Sequence, residues 1–274
     1  MRRYHETFRL WEYLLFAVVT LAVLCLCVCI GSVRVPLGDT LAFFAAKLTG
    51  GALPEGLVSS IMPIRLPRVL CVALTGAALS LAGAAMQGLL KNPLADGSTL
   101  GVSSGASLGA VCAADKVQKI TFWTMGSLSG STYQNAAVLA LALAVCGVVI
   151  LLHAQILNAF AVGEDNARQI GVDVKRAKLV LLITVSVLIG VCVSIGGTIG
   201  FVGLVTPHMV RMLVGPNHRR LLPAAMFGGA VFLMLADLVA RTLLNPLELP
   251  IGVVTSFVGA IVFVVIFYQS RKEH

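Results

Sequence analysis

Few residues of this chain could do chemistry in an apolar environment, and the most conspicuous are Asp237 and Arg241. A carboxylate inside a membrane span often marks a proton- or sodium-coupled carrier. Arg241 follows Asp237 by four residues, however, so on a helix the two side chains share a face and can form an ion pair. The ion pair explains Asp237 at least as well as a proton relay does. We therefore expect the energy for any pumping to come from outside this chain.

His208 is the other candidate, because it follows Pro207 near the end of an apolar segment. A capping or loop role is favoured, since no second histidine, cysteine or carboxylate stands at ligand spacing. The sequence also has no GxxxxGK[ST], HExxH or GxSxG motif, so neither nucleotide hydrolysis nor the common hydrolase machinery is encoded. We expect no metal, no cofactor and no enzymatic activity of its own.

The elements that must position these residues are membrane spans. The 274 residues are 58% hydrophobic and 12% charged, about half the charged share of a soluble domain. A protein of this size cannot bury that much apolar surface in one water-soluble core. We predict an all-α, polytopic membrane bundle in which residues 1–274 form a single transmembrane domain.

Eight apolar runs are candidates for crossing the membrane, which takes about 20 residues at ~1.5 Å per residue. The runs are residues 13–33, 69–90, 97–114, 136–157, 179–195, 199–213, 222–240 and 249–268. The first is expected to be a retained span rather than a cleaved signal peptide, because 33–36 is a poor cleavage site. Residues 34–64 are expected to form an external loop with one short helix over 40–48.

The basic residues give the orientation. With the N-terminus inside, the inner segments hold 13 of the 20 lysines and arginines, as the positive-inside rule requires. The seven on the outside are Arg34, Lys47, Arg65, Arg68, Lys116, Lys119 and Arg241.

Seven ordered blocks strongly resemble one family over nearly the whole chain. They are 65–68 (RLPR), 87–95 (QGLLKNPLA), 100–106 (LGVSSGA), 163–172 (GEDNARQIGV), 200–208 (GFVGLVTPH), 217–223 (NHRRLLP) and 249–255 (LPIGVVT). The resemblance is to FecCD/BtuC-type permeases, the membrane subunits of ABC importers for iron–siderophore complexes, haem and cobalamin. It implies a multi-pass protein of the bacterial inner membrane that works as a dimer. Its implied partners are cytoplasmic ATPase subunits and an external substrate-binding protein.

The resemblance also implies two contact sites. A coupling helix in the inner loop would insert into the ATPase, and its motif residues here are Gly163, Glu164, Ala167, Arg168 and Gly171. Gly171 can end that helix in a left-handed conformation. From spacing alone, a merely solvated connecting loop is the favoured interpretation.

External arginines of the family pair with glutamates of the binding protein, and Arg65, Arg68 and Arg241 fall at those positions. Arginine suits such a pair because its planar fork binds a carboxylate bidentately. The alternatives are anchoring to lipid headgroups or, for Arg241, the pair with Asp237.

The chain departs from the family between Gly109 and Phe122, where two central helices of the usual ten are missing. The expected count is therefore about eight. Iron–siderophore import is the leading functional hypothesis, and haem or cobalamin import, or a non-transporting relative that acts as a scaffold, are the alternatives. A secondary carrier is disfavoured, because it needs interrupted helices at matching positions in two halves and only one glycine-rich break is present.

Overall fold

The computed structural model describes residues 8–31, 33, 35–50, 57–96 and 123–272. These residues form ten helices, which confirms the predicted all-α class. The helices are α1 (Leu10–Cys29), α2 (Leu37–Thr49), α3 (Leu57–Leu90), α4 (Tyr133–Leu152), α5 (Ala154–Val162), α6 (Glu164–Gln169), α7 (Val174–Gly196), α8 (Val202–Val214), α9 (His218–Thr242) and α10 (Ile251–Lys272).

Among the described residues, five helices are long and apolar enough to cross a membrane: α1, α3, α4, α7 and α9. Two shorter apolar helices accompany them, Val202–Val214 and Ile251–Val264. The 13 residues of α8 rise about 20 Å, less than the ~30 Å of hydrocarbon, so this helix begins part-way through the bundle. The span expected at 97–114 lies outside the described residues, and the total of eight crossings stays a prediction.

Helix α3 is the central element and packs against α4, α7, α8 and α9. Glycines allow the closest contacts. A Cβ on Gly76 would overlap the carbonyl of Gly229 on α9, and a Cβ on Gly83 would overlap the carbonyl of Gly203 on α8. Membrane helices associate largely through such close packing, because lipid provides no hydrophobic drive between them.

Side chains placed at the helix starts explain where three helices begin. Thr132 accepts a hydrogen bond from the backbone of Asn135 at the start of α4, and Asp173 accepts one from Arg176 at the start of α7. Asn217 does the same for Arg219 at the start of α9. Each side chain satisfies a backbone N–H that has no partner within its helix.

Two boundaries differ from the sequence-based prediction. The predicted short helix at 40–48 is confirmed as α2, but the loop does not continue to residue 64, because α3 already begins at Leu57 and runs through Pro63 and Pro67. Proline is tolerated in membrane helices because neighbouring groups satisfy the freed carbonyls. The run at 136–157 is not one helix either, since α4 ends before His153 and α5 follows.

Candidate functional site

At the end of the bundle that the basic residues predict to be internal, α6 is a short helix between α5 and α7. Gly163 precedes it with a φ of 155°, and the side chain of Ala167 is fully buried. Gly171 ends it with a φ of 88°, as the sequence predicted. The backbone N–H groups of Gly171 and Val172 donate to the carbonyls of Arg168 and Ala167, which is the Schellman pattern. The carboxyl end of the helix is therefore closed by its own backbone.

An ion pair holds α6 against α7. The Nζ of Lys178 lies 2.6 Å from Oε1 of Glu164. This hydrogen bond, together with the charge of Lys178, keeps the pKa of Glu164 below its ordinary value. The pair is a direct contact between α6 and α7, in addition to their connection through the chain.

The other side chains of this loop face solvent. Arg168 is exposed, and Ile170 is 72% exposed although it is a large apolar side chain in a charged loop.

Helix α5, which leads into α6, is fastened to the start of α9. The Nδ2 of Asn158 donates to Oδ1 of Asn217, and Oδ1 of Asn158 accepts from the backbone N–H of His218, both at 2.8 Å. The ring of His218 is buried and lies against Gly88 of α3, where a Cβ would come within 2.5 Å of Nε2. Three helices thus meet at one polar junction.

At the opposite end of the bundle, Arg68 of α3 joins two carboxylates. Its Nη2 lies 2.9 Å from Oδ1 of Asp237 on α9, and its Nη1 lies 2.8 Å from Oε2 of Glu248 in the segment between α9 and α10. Asp237 also pairs with Arg241 at 3.1 Å, which confirms the ion pair predicted from their spacing.

Arg65 and Arg241 point to the carboxyl end of α1. Arg65 donates to the carbonyls of Val28 and Val33 at 2.9 and 2.8 Å, and Arg241 donates to the carbonyl of Cys27. The two arginines are only 7% and 3% exposed. Cations are favoured at this end of a helix, because its last carbonyls have no partners within the helix.

Gly31 makes room for both arginines. A Cβ at this position would lie 2.7 Å from Nη2 of Arg65 and 3.1 Å from Nη1 of Arg241. The three arginines Arg65, Arg68 and Arg241 with Asp237 and Glu248 are called the outer cluster below; it holds three cations and two carboxylates.

Comparison with known proteins gives the family of this chain. The model of the FecCD transport family matches residues 19–115 and 112–269. The chain belongs to the FecCD transport family. An ABC transporter permease of Bacillus subtilis, YvrB, is 37% identical over 88% of this chain and 89% of its own length. The hemin transport permease HmuU of Yersinia pestis is 33% identical over 77% of this chain and 83% of its own length.

Two further matches agree with this family. A cobalamin import permease, BtuC of Halobacterium salinarum, is 33% identical over 79% of this chain and 75% of its own length. A metal-chelate type ABC transporter solved in an inward-facing conformation superimposes with a TM-score of 0.79 at 25% identity, over 94% of this chain and 98% of that one. This FecCD-family chain is therefore an ABC importer permease, a multi-pass protein of the cytoplasmic membrane whose ATPase and substrate-binding protein are separate partners.

The structure also places at these sites residues that the sequence did not single out. Glu248 and Asn158 each join elements far apart in the chain, and Gly31 lies in a connecting segment. One signal was available for Glu248: it is an isolated carboxylate seven residues after Arg241, on the side predicted to be external. His208 lies within α8 rather than in a cap or loop, because α8 extends past it to Val214.

A cavity of about 440 Å³ lies where α8 begins. Its walls in the described part of this FecCD-family permease are mostly apolar, with the carboxyl group of Asp96 and the hydroxyl groups of Thr198 and Ser256 among them. Non-helical backbone at membrane depth is tolerated only inside protein or along a water-filled space. The segment 197–201 before α8 meets that condition, because it lines this cavity.

Proposed function

We propose that this chain, as a single domain of residues 1–274, forms with a second copy the membrane path of an importer for a metal chelate, a ferric siderophore in the first place. HmuU is named for hemin and BtuC for cobalamin, and both molecules are metal chelates. The solved relative is described as a metal-chelate type transporter. The cavity beside α8 is proposed as part of the path, because its walls are mostly apolar with a few polar groups.

We propose that α6 with its flanking residues is the contact for the ATPase, through Gly163, Glu164, Ala167, Arg168 and Gly171. The observation that carries this proposal is the construction of α6: its carboxyl end is closed by its own backbone, Glu164 pairs with Lys178 of α7, and the helix is buried on one side at Ala167 and exposed on the other. Such a helix can transmit movement without unfolding. Ile170 is proposed as its apolar anchor, because it is exposed beside the fixed end.

The test of the ATPase contact replaces Ile170 with Asp. Co-purification of the ATPase with the permease should fall, because the substitution puts a charge where an apolar contact forms. Leu37→Asp is the matched control, since Leu37 is an exposed apolar residue at the start of α2, near the other end of the bundle. Unchanged co-purification of the ATPase with the Ile170→Asp variant would contradict the assignment.

We propose that the outer cluster receives the substrate-binding protein, with Arg68 as the arginine that touches it. Arg65 and Arg241 donate to the backbone of residues 27–33, so their proposed part is to hold the cluster and supply positive charge. Arg68 carries its charge at 12% side-chain exposure and has one partner at the surface, Glu248. Replacing both Arg65 and Arg68 with Glu should weaken docking in a salt-dependent way.

Transport itself is tested in vesicles that contain the permease, its ATPase and its binding protein. Accumulation of a ferric siderophore with ATP supports the proposal. Accumulation of haem or cobalamin without any accumulation of a siderophore would show that the cargo is that other chelate. The 26 residues from 97 to 122 leave room for about one crossing, which keeps the scaffold alternative open. ATPase binding without uptake of any of the three chelates would favour that alternative.

A further inference from the structure

The guanidinium group of Arg68 contacts two carboxylates that differ in exposure to solvent. Its Nε and Nη2 face Oδ1 of Asp237 at 3.1 and 2.9 Å, and its Nη1 faces Glu248 at 2.8 Å. The Asp237 side chain is only 2% exposed and is also held by Arg241. The side chain of Glu248 is 41% exposed and comes from the short segment between α9 and α10.

Asp237 therefore cannot leave Arg68 easily. Moving it would take a buried carboxylate away from two guanidinium groups, and separating buried charges is costly. Glu248 can leave more easily, because its side chain is 41% exposed and water can replace its contacts. The outward donor of Arg68, Nη1, is thus occupied by the only carboxylate of the outer cluster that can move away.

We propose that Glu248 is an internal competitor for Arg68, which an acidic side chain of the substrate-binding protein must displace in order to dock. The inference rests on the proposed function, since docking at Arg68 is itself proposed there. The exchange replaces one carboxylate at Nη1 with another, so the gain from the new pair is reduced by the loss of the old one. Glu248 thereby keeps docking weak and reversible, as repeated delivery of substrate requires.

The test measures the dissociation constant between the complete importer in lipid nanodiscs and its fluorescently labelled substrate-binding protein. Glu248→Gln keeps the size of the side chain and removes its charge, so binding should become about threefold tighter or more. Arg68→Gln should weaken binding. The double variant Arg68→Gln/Glu248→Gln should bind with the same dissociation constant as Arg68→Gln alone, because the competition requires Arg68. Asp39→Asn is the matched control, since it removes an exposed carboxylate from the start of α2.

The outcomes separate the two ideas. If Arg68→Gln weakens docking but Glu248→Gln does not tighten it, the proposal that Glu248 competes for Arg68 is wrong and the docking proposal stands. If Glu248→Gln still tightens binding in the absence of Arg68, or Asp39→Asn tightens it equally, the effect is general repulsion and the competitor is wrong. If Arg68→Gln leaves docking unchanged, the docking proposal itself is wrong. If the Arg68→Gln permease no longer assembles with the ATPase, Arg68→Lys takes its place, because lysine keeps a positive charge facing Asp237.

Discussion

Asn158 holds His218 at two points: its Oδ1 lies 2.8 Å from the backbone nitrogen of His218 and 2.9 Å from the ring Nδ1. Asn158 belongs to α5, which leads into α6, and His218 is the first residue of α9. The far end of α9 carries Asp237 and Arg241 of the outer cluster. One helix therefore connects the proposed ATPase contact with the proposed docking site.

Replacing Asn158 with Ala should uncouple these two sites. The backbone N–H of buried His218 would lose its acceptor, at a cost of about 1–3 kcal/mol, and the junction of α5 with α9 would loosen. We expect the ATPase to co-purify normally, while stimulation of ATP hydrolysis by the binding protein falls several-fold. Asn158→Asp keeps the acceptor for the His218 N–H and should retain more of this stimulation. Asn135→Ala is the control, because Asn135 lies at the start of α4, away from the junction of α5 with α9. Full stimulation in Asn158→Ala would show that the junction does not transmit movement.

Replacing Gly83 with Val should destabilise the bundle. The new side chain would press against the backbone of Gly203, and overpacking of this kind costs about 1–3 kcal/mol. The expected result is a lower midpoint of thermal unfolding in detergent. Gly190→Ala is the control, because a Cβ at this helical and exposed glycine meets no atom within 4 Å. Equal midpoints for the two variants would contradict the close contact between α3 and α8.

Replacing Gly31 with Val should displace Arg65 and Arg241 from the end of α1, because its side chain would occupy the space of both guanidinium groups. We expect faster proteolysis of the segment after α1 and a lower unfolding midpoint. Arg65→Ala should have a similar effect, since the carbonyls of Val28 and Val33 lose their donor. Lys175→Ala is the control, because Lys175 is exposed near the start of α7, and it should leave both measurements unchanged.

The pair of Glu164 and Lys178 should stabilise the inner loop over most of the pH range. Because the pKa of Glu164 is lowered in the folded state, chiefly by its hydrogen bond from Lys178, the unfolded chain binds this proton more tightly. The stabilisation is therefore fully present above the ordinary value of about 4.3 and is lost as the pH falls through the lowered pKa.

This pH dependence is measured as the difference in unfolding midpoint between the wild type and Glu164→Gln. The difference should be constant from about pH 8 to about pH 5.5 and should shrink below about pH 4.3. Asp165→Asn is the control, because the exposed Asp165 makes none of the ion pairs among the described residues. A difference that shrinks already near neutral pH would contradict the assignment.

The sequence could predict the features that depend on local composition. The long apolar runs gave α1, α4, α7 and α9, and the four-residue spacing of Asp237 and Arg241 gave their ion pair. It could not predict that α3 begins at Leu57, because Pro63 and Pro67 interrupt a helix in water but not within a packed bundle.

The pairing of Arg68 with Glu248 was also beyond the sequence. Arg68 and Glu248 are 180 residues apart, and only the packing of α3 against α9 brings them together. The same holds for Asn158 and His218, which are 60 residues apart. By contrast, the left-handed end of α6 at Gly171 was predictable, because it depends on one residue type at one position.

Helix α1 is largely exposed along its length, yet it is tied to α9 near both ends: Glu12 pairs with Arg220, and Arg241 holds the carbonyl of Cys27. At the Cys27 end, the Cys27 thiol also donates to the carbonyl oxygen of Met234 on α9, at 3.5 Å. We therefore expect the two helices to move together. A covalent crosslink between α1 and α9 should then leave turnover intact, and this pair offers an anchor for probes that report how the rest of the bundle moves.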